Sequence, residues 1–199
     1  YVELRKEGEF AYITFNRPEA MNALNPVVVG QLGQAWGQVR DDPKIKTVVI
    51  EGKGKAFVAG ADIGFFLKQM KSDNVDRIVE FASGAQDIFN QWAASDKWVV
   101  AKMDGLALGG GAELALACDT IVATPKASIG FPETGIGIYP GLGGTQRPLH
   151  FLGLALARWM VFSGQVLSAA QALELGLVEY LVEPGEALAK IKELAGDKP

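Results

Sequence analysis

The sequence has little of the chemistry on which several protein classes depend. One cysteine, Cys118, cannot form an internal disulfide, and with the single histidine, His150, it supplies too few ligands for a zinc site. The formal charge of −4 argues against a nucleic-acid or anionic-membrane partner. No uncharged run is long enough to span a bilayer. We therefore expect a globular protein of the cytoplasm, or of the mitochondrial matrix in a eukaryote, that is not secreted.

The composition is that of one globular domain with an unusual share of glycine. The 199 residues are 49% hydrophobic and 21% charged, which is enough to bury a sizeable core. Glycine accounts for 24 residues, roughly 12% of the chain where ~7% is typical. The glycines cluster between Gly105 and Gly144, where Leu, Ile and Ala interleave them, so this stretch cannot be a flexible linker.

Strand-like and helix-like segments alternate, which predicts an α/β (α+β) fold less regular than a doubly wound sheet. Asn25 followed by Pro26 is a typical helix start, and Ser168 with Gln171 three positions later forms a capping box. The predicted strands are 10–16, 45–51, 98–103, 120–123 and 178–182. The predicted helices are 26–40, 75–95, 109–118, 151–162, a short helix after Ser168, and 184–195.

A glycine triplet, residues 109–111, precedes Glu113 at a predicted junction between a strand and a helix. Glycines let a ligand approach the backbone, and the first amides of a helix lack intrahelical partners, so such a junction can bind an anion or a developing oxyanion. Glu113 follows among apolar neighbours, where a buried carboxylate must be paired or protonated. The alternative is that the glycines serve packing and that Glu113 faces solvent. This segment alone does not decide between the two.

Glu133 is the one acidic residue in an apolar segment, residues 127–144. A carboxyl group in such surroundings is expected to have a raised pKa, which suits an acid or a base in catalysis. The alternative is an ordinary exposed glutamate in a loop. A third segment, residues 55–63, is rich in small residues and by itself indicates only a loop that follows a strand.

Four segments occur in a fixed order along the chain. They are residues 16–24 (NRPEAMNAL), 56–63 (AFVAGADI), 105–113 (GLALGGGAE) and 131–147, which opens with FPE and closes with GLGGTQR. Together they strongly resemble the enoyl-CoA hydratase/isomerase (crotonase) family, and the resemblance covers residues 1–183. It implies a spiral of ββα units whose strands form two roughly perpendicular sheets surrounded by helices.

The resemblance divides the chain into a catalytic core, residues 1–183, and the start of a C-terminal helical segment, residues 184–199. Members of this family usually continue for several more helices, which close the acyl pocket and build trimers, often paired into hexamers. We therefore expect a domain truncated or excised from a longer chain, for example from a fusion with a 3-hydroxyacyl-CoA dehydrogenase. The full-length protein is expected to be a homotrimer or a hexamer.

The resemblance also implies a site for an acyl-CoA thioester. Glu113 and Glu133 match the two catalytic carboxylates of the hydratases, and Ala61 and Gly110 match the two residues whose amides form the oxyanion hole. The positions that match the coenzyme A and substrate region are Met21, Ala23, Ala59, Asp62, Ile63 and Gly141. No metal and no cofactor are expected, because coenzyme A is part of the substrate.

Both carboxyls and the oxyanion hole together imply an enoyl-CoA hydratase, a hydro-lyase of fatty acid β-oxidation. It would add water syn across the double bond of a 2-enoyl-CoA to give a 3-hydroxyacyl-CoA. The carboxyls would move the protons while the amides stabilise the thioester enolate. The alternatives on the same scaffold are a Δ3-Δ2-enoyl-CoA isomerase, a thioester hydrolase and a decarboxylase. A non-enzymatic binding module is a remote alternative.

Some residues near the implied site have more than one interpretation. Gly64 stands where many hydratases carry a lysine that can meet a CoA phosphate. The apolar residues between 65 and 70 could line an acyl pocket, although their helical spacing is more typical of core residues. We expect His150 to be structural or exposed and Cys118 to be a small core residue.

Overall fold

The computed structural model describes residues 1–196 and contains two β-sheets. The six strands of the first sheet lie in the order β1 (Val2–Glu7), β2 (Phe10–Phe15), β3 (Thr47–Gly52), β5 (Trp98–Met103), β7 (Thr120–Ala123) and β10 (Tyr180–Leu181). β1 and β2 form an antiparallel hairpin, and the other neighbouring pairs are parallel.

The second sheet has four short strands, in the order β4 (Ala56–Ala59), β6 (Leu106–Leu108), β8 (Ser128–Gly130) and β9 (Val166–Ser168). The first three are parallel, and β9 runs antiparallel to β8. The chain alternates between the sheets, since β3 is followed by β4, β5 by β6 and β7 by β8. This alternation brings the segments that follow β4, β6 and β8 to neighbouring positions.

Seven α-helices accompany the sheets within the described residues. They are α1 (Pro26–Arg40), α2 (Ile63–Lys71), α3 (Val75–Ala93), α4 (Gly110–Ala115), α5 (Pro148–Ser163), α6 (Ala169–Glu174) and α7 (Ala187–Gly196). Two short 3-10 segments cover Pro18–Ala20 and Pro132–Ile136.

Both predicted helix caps are confirmed. The Asn25 side chain accepts a hydrogen bond from the Val28 amide at 2.9 Å, and Ser168 and Gln171 form the reciprocal capping box.

The main core lies on the inner face of the first sheet, against the second sheet and most of the helices. Trp36 of α1 and Trp92 of α3 meet there edge to face, with ring centroids 6.1 Å apart. A smaller cluster on the opposite face of the first sheet includes Tyr12 and Val49, and α7 covers it with Ala187 and Ile191. The predicted boundary between residues 183 and 184 stays a prediction.

Parts of the secondary-structure prediction are wrong. Residues 55–63 contain strand β4 rather than only a loop, and the three-residue strands β6, β8 and β9 were not predicted. The helix predicted to run to Cys118 ends at Ala115, because Asp119 pairs with the Val99 backbone through both its amide and its carboxylate and draws the chain into β7. Helix α5 begins at Pro148 and is kinked at Gly153, where φ is +68°.

The apolar residues between 65 and 70, which the sequence allows as pocket or core residues, divide into two groups. Phe65 and Phe66 pack against the core and contact Phe81 of α3, whereas Leu67 and Met70 are exposed. Cys118 is buried and His150 is exposed, as expected.

Several large apolar side chains on and near α5 remain exposed. They include Tyr139, Leu154, Trp159 and Phe162. The predicted homotrimer or hexamer stays a prediction. None of the helices within residues 1–196 has both the length and the hydropathy needed to cross a bilayer.

Candidate active site

Glu113 of α4 is buried against the loop that precedes α5. Glu113 is only 1% exposed to solvent. Its Oε1 accepts hydrogen bonds from the amides of Leu142 at 2.6 Å and Gly144 at 2.7 Å. Burial raises the pKa of Glu113 to about 7, and Glu133 acts in the same direction, while the two amides and Arg147 oppose the rise. The interpretation that Glu113 faces solvent is therefore wrong.

Glu133 lies in the second 3-10 segment and is half-buried. Its Oε2 is buried without a hydrogen-bond partner among the described residues, and burial raises the pKa of this carboxyl. Gly109, at φ +50°, leaves the room that the carboxyl occupies, since a Cβ atom there would lie 2.6 Å from Glu133 Oε1. The Gly109 carbonyl also accepts from the Glu113 amide at 2.9 Å. The Glu133 carboxyl is close enough to Glu113 to contribute to the raised pKa of that group.

The amides of Ala61 and Gly110 lie close together. Gly110 is the first residue of α4, so its N–H has no intrahelical acceptor. Leu24 pairs with the residues on either side of Ala61, which turns the Ala61 N–H away from Leu24. A Cβ atom on Gly110 would lie 3.8 Å from the Ala61 nitrogen. The two amides are therefore neighbours, as the predicted oxyanion hole requires.

Apart from Gly141, the residues predicted to contact coenzyme A lie close together around Ala61. Residues 21–24 lie along residues 59–62: the Ala59 amide donates to Met21 O at 3.0 Å. Arg17 Nη1 joins the two segments, because it donates to Ala23 O at 3.2 Å and to Asp62 at 3.0 Å. Asp62 also caps α2, whose first residue, Ile63, is exposed. Gly141 lies in a different loop, where its carbonyl accepts from Gln86 Nε2 at 2.5 Å.

Asn22 is a structural residue of the site that the sequence analysis missed. It is buried, at φ +58°, and its Nδ2 reaches the carbonyls of Lys53, Ala56 and Phe57 at 2.8–3.2 Å. Its Oδ1 accepts from the Arg17 amide at 2.8 Å. Asparagine tolerates positive φ better than most residues, so its place in the 16–24 segment was a usable signal. Asn22 fastens that segment to β4.

Comparison with known proteins identifies the family. The sequence profile of the enoyl-CoA hydratase/isomerase family matches residues 5–195. The chain belongs to this family. Within it, the chain is 40% identical to the short-chain-enoyl-CoA hydratase of Clostridium acetobutylicum over 195 residues, which are 98% of this chain and 73% of that protein. It is 41% identical to the crotonyl-CoA hydratase of Syntrophomonas wolfei over 194 residues, 97% of this chain and 73% of that protein.

Solved structures of the enoyl-CoA hydratase/isomerase family have the same fold. The crystal structure of enoyl-CoA hydratase from Bacillus anthracis matches with a TM-score of 0.90 at 32% identity, over 98% of this chain and 75% of that chain. The family and the crotonase-like fold predicted from the sequence are therefore confirmed. The roles of the individual site residues stay predictions. Within residues 1–196, no group of three or more His, Cys, Asp or Glu side chains could hold a metal ion.

Because the Glu113 carboxyl is buried, we expect the free energy of unfolding to depend on pH. Its pKa of about 7 in the folded protein exceeds the ordinary value of 4.5. The folded state therefore binds this proton more tightly than the unfolded state does. The protonated carboxyl contributes its full stabilisation of the fold below pH 4.5, and this contribution is lost as the pH rises through about 7. That loss corresponds to about 3 kcal/mol. Glu113→Gln removes the titration while its carbonyl oxygen still accepts from both amides.

We expect Glu113→Gln to be more stable than the wild type at pH 8, with a difference that shrinks as the pH falls toward 4.5. Urea unfolding at several pH values measures the difference in free energy. A difference that is the same at every pH would show that this carboxyl titrates normally.

Proposed function

We propose that this chain catalyses the addition of water to a 2-enoyl-CoA thioester, giving a 3-hydroxyacyl-CoA. Its relatives are hydratases by name, and they make this chain a lyase of the same class. One observation carries the proposal: the Glu133 carboxyl lies against Gly109, one residue before the Gly110 amide, and it acts electrostatically on the buried Glu113 carboxyl. Water addition needs two proton transfers and one stabilised oxyanion, and this arrangement has a group for each.

The amides of Ala61 and Gly110 are proposed to bind the thioester oxygen. When water attacks the β-carbon, electron density moves through the conjugated system to this oxygen, which then carries enolate charge. Two fixed N–H donors stabilise that charge without reorganisation, and removing one such donor costs about 3–4 kcal/mol of transition-state stabilisation in comparable sites. The surface made by Met21, Ala23, Ala59, Asp62 and Ile63, together with Gly141, is proposed to contact coenzyme A and the acyl group.

The two carboxyls are proposed to divide the proton transfers. Glu113, whose Oε1 is held by the amides of Leu142 and Gly144, is proposed to take a proton from water as the water oxygen bonds to the β-carbon. Glu133, whose Oε2 has no acceptor or donor partner among residues 1–196, carries the other proton and gives it to the α-carbon. The proton on Glu113 then returns to Glu133 through the next water, which restores the starting state.

The pair can hold opposite protonation states because two neighbouring carboxylates in an apolar site resist joint ionisation. Burial raises the pKa of each, and Glu133 adds to the rise at Glu113. The pair therefore titrates as a unit, with one proton between its two macroscopic pKa values. That singly protonated form is the one the mechanism uses.

An isomerase that shifts a double bond needs only one carboxyl to shuttle a proton, so the presence of two at one place favours hydration. The assay is incubation of the purified chain with crotonyl-CoA and, separately, with a 3-enoyl-CoA. We expect 3-hydroxybutyryl-CoA from crotonyl-CoA, seen as loss of the enoyl thioester absorbance and by chromatography. Conversion of the 3-enoyl-CoA to its 2-enoyl isomer without any hydrated product would assign an isomerase. Release of free coenzyme A would assign a thioester hydrolase.

A further inference from the structure

Arg147 lies at the end of the loop that holds Glu113, immediately before α5. Its guanidinium folds back over this loop: Nη1 donates to Leu142 O at 3.0 Å, and Nη2 donates to Asn90 Oδ1 of α3 at 2.9 Å. The guanidinium carbon also lies 5.9 Å from the centre of the Phe89 ring. The side chain is half-buried. One arginine thus joins the loop to α3.

The loop leaves space for this arginine at Gly143. A Cβ atom on Gly143 would lie 1.8 Å from Arg147 Nη1, and the φ of +113° is one that few other residues adopt. The amide of Arg147 donates to Gly143 O at 2.9 Å, which closes the turn. Backbone and side chain of Arg147 therefore both act on residues 142–143.

Arg147 holds the peptide segment from which Glu113 receives its hydrogen bonds. Leu142 presents its N–H to Glu113 Oε1 and its carbonyl to Arg147, and Gly144 presents the second N–H to the same Oε1. Helix α3 is a firm anchor for the guanidinium, because Phe89 is fully buried in the main core. Gln86, one turn earlier on α3, fastens Gly141 in the same way.

We propose that Arg147 is a positioning residue for Glu113, which clamps residues 141–144 to α3 so that the Leu142 and Gly144 amides stay directed at the Glu113 carboxylate. The inference rests on the proposed hydration, in which Glu113 is the base. Arg147 has no place in the proton transfers themselves. It acts through two backbone amides.

The clamp has a defined electrostatic consequence. The charged groups that act on Glu113 within the described residues are Glu133, which raises its pKa, and Arg147, which lowers it. From α3 the loop receives the neutral side chains Gln86 and Asn90. Removing the guanidinium deletes one cation and loosens two donors, and both changes disfavour the ionised base. The acid limb of the pH–rate profile should therefore move to higher pH.

The test compares Arg147→Met and Arg147→Lys with Arg158→Met, a matched loss of charge at an exposed arginine of α5. Rates of crotonyl-CoA hydration are measured from pH 5.5 to 9.

We expect Arg147→Met to lower kcat by about 10- to 100-fold, the cost of misplacing a catalytic group by ~1 Å. Its KM should change much less, and its acid limb should move to higher pH. Arg147→Lys should restore most of the pH profile but not kcat, since lysine cannot bridge Leu142 and Asn90. Arg158→Met should match the wild type.

An unchanged acid limb in Arg147→Met, or a rise in KM alone, would overturn the proposal. A second measurement does not depend on activity: the pH dependence of the unfolding free energy in Arg147→Met, with and without Glu113→Gln. If Arg147 positions Glu113, the part of the pH dependence of the unfolding free energy that Glu113→Gln abolishes moves to higher pH in Arg147→Met. If it does not move, the clamp is refuted. If the wild type hydrates no enoyl-CoA, the proposed function fails, and this titration still decides the role of Arg147.

Discussion

Glu113→Gln and Glu133→Gln are each expected to lower kcat for crotonyl-CoA hydration by about 10²- to 10⁴-fold, the usual contribution of a positioned acid or base. Glutamine at 113 still accepts from the Leu142 and Gly144 amides but cannot take a proton from water. Glutamine at 133 fills the same space beside Gly109 but has no acidic proton to give to the α-carbon. Neither change removes the oxyanion hole, so a residual rate should remain.

Glu179→Gln is the matched control for this pair. Glu179 is a glutamate that is more exposed than Glu133, but burial of its carboxyl also raises its pKa, and its Oε2 accepts from the Ile121 amide of β7 at 2.7 Å rather than from the loop at Glu113. Steady-state rates of the three variants at saturating substrate give the comparison. Near-normal hydration by either Glu113→Gln or Glu133→Gln would show that the roles assigned here are wrong.

Gly110→Pro should lower kcat about 10²- to 10³-fold relative to Gly110→Ala, because proline deletes the N–H that is proposed to bind the thioester oxygen. Proline is tolerated at the first position of a helix, where the amide has no intrahelical acceptor. The alanine variant keeps the amide and carries the same Cβ atom, which meets the Leu142 and Leu24 methyl groups at 3.1 and 3.3 Å. The ratio of the two variants therefore removes the effect of the Cβ atom and leaves the replacement of the N–H by the ring Cδ of proline.

The measurement is the rate of crotonyl-CoA hydration, with circular dichroism to confirm that both variants fold. If proline and alanine at 110 have the same kcat, the Gly110 amide does not stabilise the transition state. A large loss that is already complete in the alanine variant would instead assign the effect to steric crowding by the new Cβ atom.

The elements that could be predicted from the sequence are those whose signal is local. Helices α1 and α6 start where a cap residue satisfies the first free amides, and such caps depend on residues three positions apart. Strands β2, β3 and β5 are long apolar runs in the buried sheet. The site segments could be found because the ordered set of four motifs is specific, although each alone is weak.

The elements that could not be predicted depend on distant partners. Strands β6, β8 and β9 have three residues each, and their extended backbone comes from pairing with one another and with β4. Helix α4 ends early because Asp119 bonds to Val99, twenty residues before it. Neither effect leaves a periodic pattern in the sequence.

The surroundings of Glu113 show the same limit at the site. Its apolar neighbours in sequence raised the question of burial, but its hydrogen bonds come from backbone amides, which every residue except proline possesses. Arg147 bonds to the Leu142 carbonyl, which is 5 residues away along the chain, and to the Asn90 side chain, which is 57 residues away. No residue type marks such a contact in advance.

Glu113 and Glu133 are proposed to act on one side of the substrate, so that the water oxygen and the α-proton are delivered to the same face. Hydration of crotonyl-CoA in D₂O tests it directly, because the coupling between the α- and β-protons in the product reveals the relative configuration. We expect a single diastereomer with one carbon-bound deuterium, in which deuterium and hydroxyl have added syn. An anti product, or a mixture of both diastereomers, would contradict it.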